Sequence, residues 1–204
     1  VFDYRGDLMT LSTELETDLD ALARELLRGR SPWPLLADRP LRAVAIVPYR
    51  DFAHFPTALR PEGYTGRGAA RAVVTGSLAA PEVNLNLTAH QVSGVASPFM
   101  VPVDGETTLR YAPTTGKLQG SVLASREGLP VARGTFDLDL PWQNLTTEPE
   151  ARTPLWTGDA QLVLDGLPLE LIDTVAARRV RGSALGSIAV SRRAWVPRVR
   201  ADVS

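Results

Sequence analysis

The stretch GYTGRGAARAVVTGSLAAPEVNLNLTAHQV, residues 63–92, decides the fold. Its second half alternates polar and apolar residues without interruption over 82–88. Because successive side chains of a β-strand point to opposite faces, this alternation predicts a strand with one apolar face. Residues 69–78 are rich in small and β-branched side chains and predict the preceding strand. Pro81 has no N–H to donate to a ladder, so it marks the start of the second strand.

A similar arrangement returns towards the end of the sequence. Gly66 lies 15 residues before Pro81, and Gly182 lies 15 residues before Pro197. Each proline is followed by the same alternation, which comprises Val83, Leu85 and Leu87 in one copy and Val199, Ala201 and Val203 in the other. The same offset of 116 pairs Ile46 with Leu162, Phe55 with Leu171 and Leu59 with Val175. We therefore expect one β-rich, repeat-built segment of a longer protein, with a first unit over 1–92 and a second over 93–204.

The composition excludes several classes of protein. The 204 residues are 44% hydrophobic and 22% charged, which is typical of a folded domain and not of a disordered chain. Lys and Arg number 22 against 23 Asp and Glu, so we expect no nucleic-acid partner. No apolar run approaches the 18 residues of a membrane-spanning helix. The absence of cysteine excludes disulfides and thiolate metal sites, and it suits an oxidising compartment.

Most of the remaining sequence also predicts short strands. They are expected as a pair within 1–15, over 41–47, 107–111, 117–125, 131–140 and 159–164, and from residue 182 onward. Turns are expected at 113–116 and 126–128, and an edge segment at 97–103. Strands at such regular spacing with little helix predict an all-β fold.

One amphipathic helix is expected over 18–28. Leu19, Leu22 and Leu26 recur at helical spacing, Thr17 is the expected N-cap, and Gly29 is the expected stop. A helix of about three turns is not stable alone, so we expect it to cap the sheet.

The proline-rich connection at 31–40 should be anchored by Trp33. Residues 51–60 and 167–177 are expected to form short helical plugs at the end of the sheet.

Residues that could carry chemistry are few. His54 and His90 have no carboxylate or second histidine at ligand spacing, and no serine sits in a nucleophile elbow. Asp137 and Asp139 share one face of a strand, as a carboxylate pair would, but a solvated outer face explains them better, because Asn84 and Asn86 show the same alternation. The glycines at 66–68 and 116–120 lack a phosphate-loop context, and the arginines at 178–181 and 192–193 suit a solvated surface. We expect no catalytic residue, no metal and no cofactor.

Three segments resemble the repeating element of the TamB family, the translocation and assembly module proteins related to AsmA. They are VVTGSLAAPEV at 73–83 with its preceding Leu59 and Gly66, DGLPL at 165–169 through GSALGSIAV at 182–190, and Tyr111 followed by GKL at 116–118. One departure is SRRAWV at 191–196, where the first copy has the small residues GSLAA at 76–80.

The resemblance implies a long sheet curled into an open hydrophobic trough in the bacterial periplasm. It implies an inner-membrane anchor outside these residues, an outer-membrane barrel of the Omp85 type as a possible partner, and a function in moving phospholipids between the two membranes and in outer-membrane biogenesis. Phospholipid acyl chains would then lie on the apolar face. The residues expected to form this groove are Val73, Val83, Leu85, Leu87, Leu109, Phe136, Leu138, Leu140, Leu162, Leu164, Ile188 and Val190.

The physics of one-faced strands agrees with a trough. An apolar sheet face needs a cover of helices or of a second sheet, and one helix with two plugs is too little to cover a dozen strands. We expect Val83, Leu85 and Leu87 to share a concave face with Phe136, Leu138 and Leu140, while Asn84, Asn86, Asp137 and Asp139 face water. Two alternatives remain, which are a chaperone-like groove for outer-membrane protein strands and a closed β-sandwich without a ligand.

Overall fold

The computed structural model describes the backbone of residues 2–5 and, in full, residues 9–55, 60, 62–94, 102–142, 156–169, 182–193 and 196–204. The strands in this part of the chain are β1 (Phe2–Arg5), β2 (Thr10–Leu15), β3 (Leu41–Asp51), β4 (Tyr64–Gly76), β5 (Pro81–Gly94), β6 (Val103–Ala112), β7 (Lys117–Arg126), β8 (Leu129–Asp139), β9 (Thr157–Pro168), β10 (Ser183–Arg192) and β11 (Arg198–Val203). The helices are α1 (Leu19–Leu27) and α2 (Trp33–Leu36), and a 3-10 turn covers Phe52–His54.

The described strands form one open antiparallel sheet. The strand order follows the sequence from β1 to β11, and each strand pairs with its neighbours in the chain. Gly76 lies opposite Pro81, so the proline does open β5 as predicted. Glu127 and Gly128 both have positive φ, 54° and 80°, and they make the tight turn between β7 and β8. The prediction of an all-β curled sheet is confirmed, and every pairing in the described part is antiparallel.

The sheet is a single layer throughout the described residues. No side chain there is less than 2% exposed, and no second sheet lies against either face. The chain exposes 13501 Å², whereas size scaling gives roughly 9,300 Å² for a compact monomer of this length. The closed β-sandwich is therefore wrong for the described part of the chain.

Two small apolar clusters take the place of a continuous core. The first packs Phe52 of the 3-10 turn, together with Phe55 directly after it, on Val47 and Ala70, which confirms the expected plug for its described residues. Residues 56–59 of that plug lie outside the described part. The second cluster joins Ala132, Leu164 and Ala184 of β8, β9 and β10. The predicted second plug is wrong at its start, since residues 167 and 168 continue β9, and residues 170–177 lie outside the described part.

Helix α1 forms where predicted but does not cap the sheet. None of its residues is buried, and Leu19, Leu26 and Leu27 are 72%, 55% and 88% exposed. Its N-cap is Asp18 and not Thr17, because Asp18 Oδ1 accepts hydrogen bonds from the amides of Asp20 at 3.0 Å and Ala21 at 3.1 Å. The predicted stop is confirmed, since Gly29 has a φ of 66°.

The connection after α1 also differs from its prediction. Trp33 is 54% exposed and is not an anchor, although residues 33–36 form the short helix α2. The chain is tied to the sheet by its backbone instead. Ala79 donates a hydrogen bond to the Ala37 carbonyl oxygen at 2.8 Å, and Pro40 forms a bridge with Ser77.

The internal repeat holds for two of its strand pairs. Hairpin β4–β5 and hairpin β10–β11 correspond at the offset of 116, and Gly66 and Gly182 have nearly the same φ, 149° and 142°. The correspondence fails by one residue between β3 and β9. Ile46 lies opposite Arg71 and is 38% exposed, whereas Leu162 lies opposite Ile188 on the other side of the sheet. Of the other predicted matches, Leu171, Leu59 and Val175 lie outside the described residues.

Candidate functional site: an open apolar face

The register places apolar side chains in unbroken rows across the sheet. Residues directly opposite each other on neighbouring strands have their side chains on the same face. One such row runs from β2 to β11 and consists of Leu11, Ala45, Ala72, Leu85, Leu109, Gly120, Phe136, Ala160, Val190 and Val199. At about 4.8 Å per strand, this row extends over roughly 43 Å. No member of it is polar.

Parallel rows widen this surface, which we call the apolar face. The next row is Val47, Ala70, Leu87, Thr107, Val122, Gly134, Leu162, Ile188 and Ala201. Beyond it lie Gly68, Ala89, Gly105, Ala124, Ala132, Leu164, Gly186 and Val203. On the other side lie Ala43, Val74, Val83, Tyr111, Leu118, Leu138, Gly158 and Arg192. Four rows therefore make a surface about 20 Å wide, because side chains on one face repeat every two residues.

Ten of the twelve predicted groove residues lie on this face. They are Val83, Leu85, Leu87, Leu109, Phe136, Leu138, Leu162, Leu164, Ile188 and Val190. The prediction for Val73 is wrong, since this residue lies opposite Asn84 and belongs to the face of the sheet that carries Asn84. The error follows from a run of two valines, in which the sequence alone does not show which one points to the apolar side. Leu140 follows the end of β8, and its backbone N–H donates to the Gly116 carbonyl oxygen at 2.6 Å.

Most of the apolar face is neither buried nor fully exposed. Leu85, Leu109 and Leu162 are all of intermediate exposure, although each has apolar residues opposite it on both neighbouring strands, and Leu87 is of intermediate exposure between Ala70 and Thr107. Coverage comes chiefly from Phe52 and Phe55, which bound a cavity of about 270 Å³ over Leu87, Ala89, Gly105 and Thr107. This arrangement offers an apolar guest a preformed surface with few polar groups.

The opposite face is polar and forms cross-strand ion pairs. The row next to the central apolar row is Ser12, Val44, Val73, Asn84, Arg110, Gln119, Asp137, Asp159, Ser191 and Arg198. Asn86 and Asp137 are exposed and Asn84 and Asp139 are half-exposed, which confirms the prediction that these four residues face water. Arg110 binds Glu82 at 2.9 Å, and Arg133 lies 3.7 Å from Asp165.

Lys117 bridges the two carboxylates that the sequence suggested as a pair. Its Nζ lies 2.8 Å from Asp139 Oδ1 and 3.3 Å from Asp137 Oδ1. Gln119 donates a further hydrogen bond to Asp137 Oδ2 at 2.9 Å. The Gln119 hydrogen bond, followed by that from Lys117, lowers the pKa of Asp137, and the two carboxylates raise the pKa of Lys117. Asp137 is therefore held ionised on a solvated surface.

His54 belongs to the 3-10 turn, and His90 lies within β5. His54 is exposed on the turn. His90 Nδ1 lies 3.5 Å from Asp104 Oδ1, and its ring contacts that of Tyr49 edge to face at 5.6 Å. The described residues contain no group of three or more metal-ligating side chains. Arginines 178–181 lie outside the described part, and Arg192 stacks on the Trp156 ring at 5.0 Å.

A hollow also opens on the polar face. It has a volume of about 580 Å³, and its polar lining includes Asp137, Asp159, Gln161, Arg198 and Arg200. Hollows thus occur on both sides of the sheet, and the expectation that the apolar face is the concave one stays a prediction.

Tyr111 is a residue of the apolar face that is not among the twelve predicted groove residues. It is 5% exposed on the apolar face, and its hydroxyl donates to the Leu140 carbonyl oxygen at 3.0 Å. Its burial raises the pKa of its phenol. The ring also lies 6.1 Å from that of Trp142. The sequence signal for its place on the apolar face is its position at the end of the alternation formed by residues 107, 109 and 111.

A comparison of the chain with protein-family models, curated proteins and solved structures finds no match in any of the three. Within the described ranges, neither helix has the length and apolar character needed to cross a bilayer.

Proposed function

We propose that this chain is a bridge segment that carries phospholipid acyl chains along its apolar face. The single observation that supports this function is the row from Leu11 to Val199, which is apolar at every position and has no second layer over it in the described residues. Acyl chains suit such a surface because apolar contact is non-directional and needs no placed polar partner.

The energetics favour a guest on this face. Complete burial of a leucine side chain contributes about 1.5–3 kcal/mol relative to leaving it in water. Leu85, Leu109 and Leu162 are only partly buried, so much of this contribution is still to be gained. An exposed apolar surface of this extent on a soluble domain marks an interaction site.

The cellular setting follows from the resemblance to the TamB family. The proposal places the chain in the periplasm, attached to the inner membrane through a segment outside these residues, where it moves phospholipids between the inner and outer membranes. An Omp85-type barrel in the outer membrane is the proposed partner. No residue of the chain is proposed to be catalytic.

A second candidate function is a chaperone-like surface for outer-membrane protein strands. The observation that favours it is the same apolar face, which has no second layer over it in the described residues. The apolar side chains of an extended strand can pack on such a surface, as acyl chains would.

Photo-crosslinking from single positions in the full-length protein in cells tests the lipid function. A photo-reactive residue at Leu85 or Leu138 should form phospholipid adducts, and one at Asn84 or Asp137, on the opposite face of the same strands, should not. Adducts with unfolded outer-membrane proteins at these sites would favour the chaperone function. Equal lipid labelling from both faces would contradict the proposed groove.

Charged substitutions provide an independent test. Leu87→Glu or Leu138→Arg places a charge where an acyl chain would pass, and an unpaired charge in apolar surroundings is costly. On an open face the charge stays hydrated, so the domain should fold and lose lipid adducts. Asn86→Glu, one residue from Leu87 but on the polar face, is the matched control and should keep them. Leu87 packs against the cluster of Phe52 and Phe55, so Leu138→Arg is the decisive variant, and unfolding by it would show that the face is covered.

A further inference from the structure

We propose that the cavity beside Phe52 and Phe55 is a fixed binding site for one acyl chain, which lies along β5 and β6 and ends against the two rings. This site depends on the proposed lipid function and gives the acyl chain one defined position on the apolar face. The cavity has a volume of about 270 Å³ and is lined by both rings and by residues of β5 and β6. An apolar cavity of roughly 150 Å³ is enough to bind benzene, so this one has room for a segment of hydrocarbon chain.

The two aromatic rings form one wall of the cavity. Phe52 and Phe55 are each 7% exposed, and their rings meet edge to face with centroids 5.4 Å apart. Phe52 reaches the backbone of β4 because Gly68 has no side chain, since a Cβ atom at position 68 would lie 2.9 Å from its ring. The wall is therefore held in place by the fold itself. A guest meets a surface that is already formed, which lowers the entropic cost of binding.

The floor of the cavity deepens towards this wall. The side-chain pairs that β5 and β6 place on the apolar face become smaller in the order Leu85 with Leu109, Leu87 with Thr107, and Ala89 with Gly105. These three pairs extend over roughly 13 Å, because each residue of a strand advances about 3.3 Å. A slot therefore runs along the two strands from the central apolar row to the aromatic wall. Its narrow, tapering shape suits an extended alkyl chain better than a broad ring system.

Gly105 keeps the deep end of the slot open. A Cβ atom at this position would have its nearest neighbours 3.8 Å away in the Ala89 side chain and 3.9 Å away in the Leu123 carbonyl oxygen, so a side chain would fit. The backbone of Gly105 does not have a positive φ, so its conformation does not require glycine. At Gly120 on the next strand, by contrast, the Phe136 ring fills the corresponding space. Glycine inside a strand often marks a place where a ligand approaches closely, and the unfilled space at Gly105 fits that role.

The lining of the cavity selects hydrocarbon. None of the described residues that line it is charged, and the polar ones among them are Thr88 and Thr107. Apolar contact is non-directional and needs no placed polar partner. We therefore expect the affinity to come from the alkyl chain and to be independent of the lipid headgroup.

Intermolecular NOEs between the unmodified chain and decanoyl lysophosphatidylcholine, held below its micellar concentration, test the site. The methylene groups of this single-chain lipid should give NOEs to the methyl group of Ala89. Ala124, which lies in the same row two strands away, is the matched reporter and should give none. Glycerophosphocholine carries the same headgroup without the chain and should give no NOE to either residue.

The outcomes separate the site from the proposed function. NOEs of equal strength at Ala89, Ala124 and Ala160 would overturn the fixed site and leave lipid binding to the apolar face intact. The absence of NOEs from the whole face would contradict the proposed function as well. An NOE from glycerophosphocholine to Ala89 would show recognition of the headgroup and would also overturn the proposal.

A side chain that fills the slot provides the second test. Gly105→Leu occupies the deep end, and displacement of even two methylene groups corresponds to a loss of affinity for decanoyl lysophosphatidylcholine of roughly tenfold. Gly134→Leu is the matched control, because it adds the same side chain to the apolar face of β8, where the nearest atoms lie 3.5 Å from the added Cβ. This control should bind the lipid like the wild type.

Circular dichroism checks that both variants are folded. If Gly105→Leu does not fold, Ala89→Leu fills the same space from β5, and the NOE pattern of the unmodified chain decides independently of either variant. Unchanged affinity in a folded variant with a filled slot, or an equal loss from Gly134→Leu, would overturn the fixed site.

Discussion

Gly120 and Phe136 show how single residues shape the apolar face. They lie directly opposite each other on β7 and β8, and the Phe136 ring covers the space that a side chain at position 120 would occupy. Glycine in a strand weakens it by leaving nothing to pack, and an aromatic ring over the glycine offsets this loss. Gly68 has the same relation to Phe52 and Phe55.

We expect Gly120→Ala to destabilise the sheet. Its methyl group would overlap the Phe136 ring and the Thr108 carbonyl oxygen, and overpacking of this kind costs about 1–3 kcal/mol. Gly105→Ala is the matched control on the adjacent strand of the same face, where the nearest atoms lie 3.8 and 3.9 Å from the added carbon. In urea denaturation, the free energy of unfolding should fall clearly for Gly120→Ala and change by no more than about 0.5 kcal/mol for Gly105→Ala. Equal effects would contradict the described packing.

The ion pair of Lys117 and Asp137 predicts how the stability of the fold depends on pH. The pKa of Asp137 is lowered by hydrogen bonds from Gln119 and Lys117, so the carboxyl should titrate below the value of about 3.9 seen in unfolded peptides. A depressed folded-state pKa stabilises the fold above the unfolded value and loses that contribution as the pH falls through the folded value. Carboxyl-carbon NMR over a pH titration of the wild type and of Lys117→Met measures the pKa of Asp137 in each protein. An Asp137 midpoint that does not rise in the variant would contradict the ion pair.

Residues on uninterrupted alternations were predictable, and isolated ones were not. Leu85 and Phe136 follow from period two alone, and the register bears out their shared face. The prediction for Val73 is wrong because Val74, the next residue, fits the same alternation shifted by one position. The prediction that Trp33 anchors its connection is wrong. A large aromatic side chain is an anchor only where the sheet provides a surface for it, and the position of that surface depends on strands distant in the sequence.

Helix α1 illustrates the same limit at the level of an element. Its period and its glycine stop predict the helix, but not what it contacts, because contact depends on where the β2–β3 connection leaves the sheet. The helix is only nine residues long and buries none of them, so its stability depends strongly on its caps. Asp18 accepts two hydrogen bonds at the N-terminus, and the Arg28 N–H bonds to Arg24 at the C-terminus.

We expect Asp18→Ala to loosen α1 without unfolding the sheet. Loss of an N-cap costs about 1 kcal/mol, or roughly a fivefold increase in local opening. Hydrogen exchange at the Leu22 amide, which donates to the Asp18 carbonyl oxygen, should accelerate by that factor while the amides of β5 are unchanged. Thr17→Ala should leave the exchange of Leu22 unaltered. Acceleration by Thr17→Ala instead would show that Thr17 is the cap after all.

The hairpins repeat more faithfully than the strands that precede them. In β4–β5 and β10–β11 the offset of 116 preserves both the face of each residue and the positive φ of the leading glycine. Between β3 and β9 a one-residue slip moves every matched side chain to the opposite face. Ile46 and Leu162 match in residue type only. The type of a residue carries no information on which side of a sheet its side chain lies.

The described part of the chain is an open sheet because it has one apolar face and almost no described residues that cover it. The all-β class was predictable from the alternations and the short turns between them, whereas the choice between an antiparallel and a mixed sheet required the register. The absence of a second layer in the described part required the register, since a sandwich would show the same alternation. The proposed lipid function depends on this uncovered face.

Labelling of single cysteines tests that face most directly, because the chain contains no cysteine of its own. Leu109→Cys and Leu162→Cys report on the apolar face, and their chain neighbours Thr108→Cys and Gln161→Cys report on the polar face. In the folded chain all four thiols should react with a small maleimide within about tenfold of one another, since an open face admits the reagent. Added phospholipid micelles should then protect positions 109 and 162 and leave 108 and 161 reactive. Thiols at 109 and 162 that react only in denaturant, or protection that does not distinguish the two faces, would contradict an open, lipid-binding sheet.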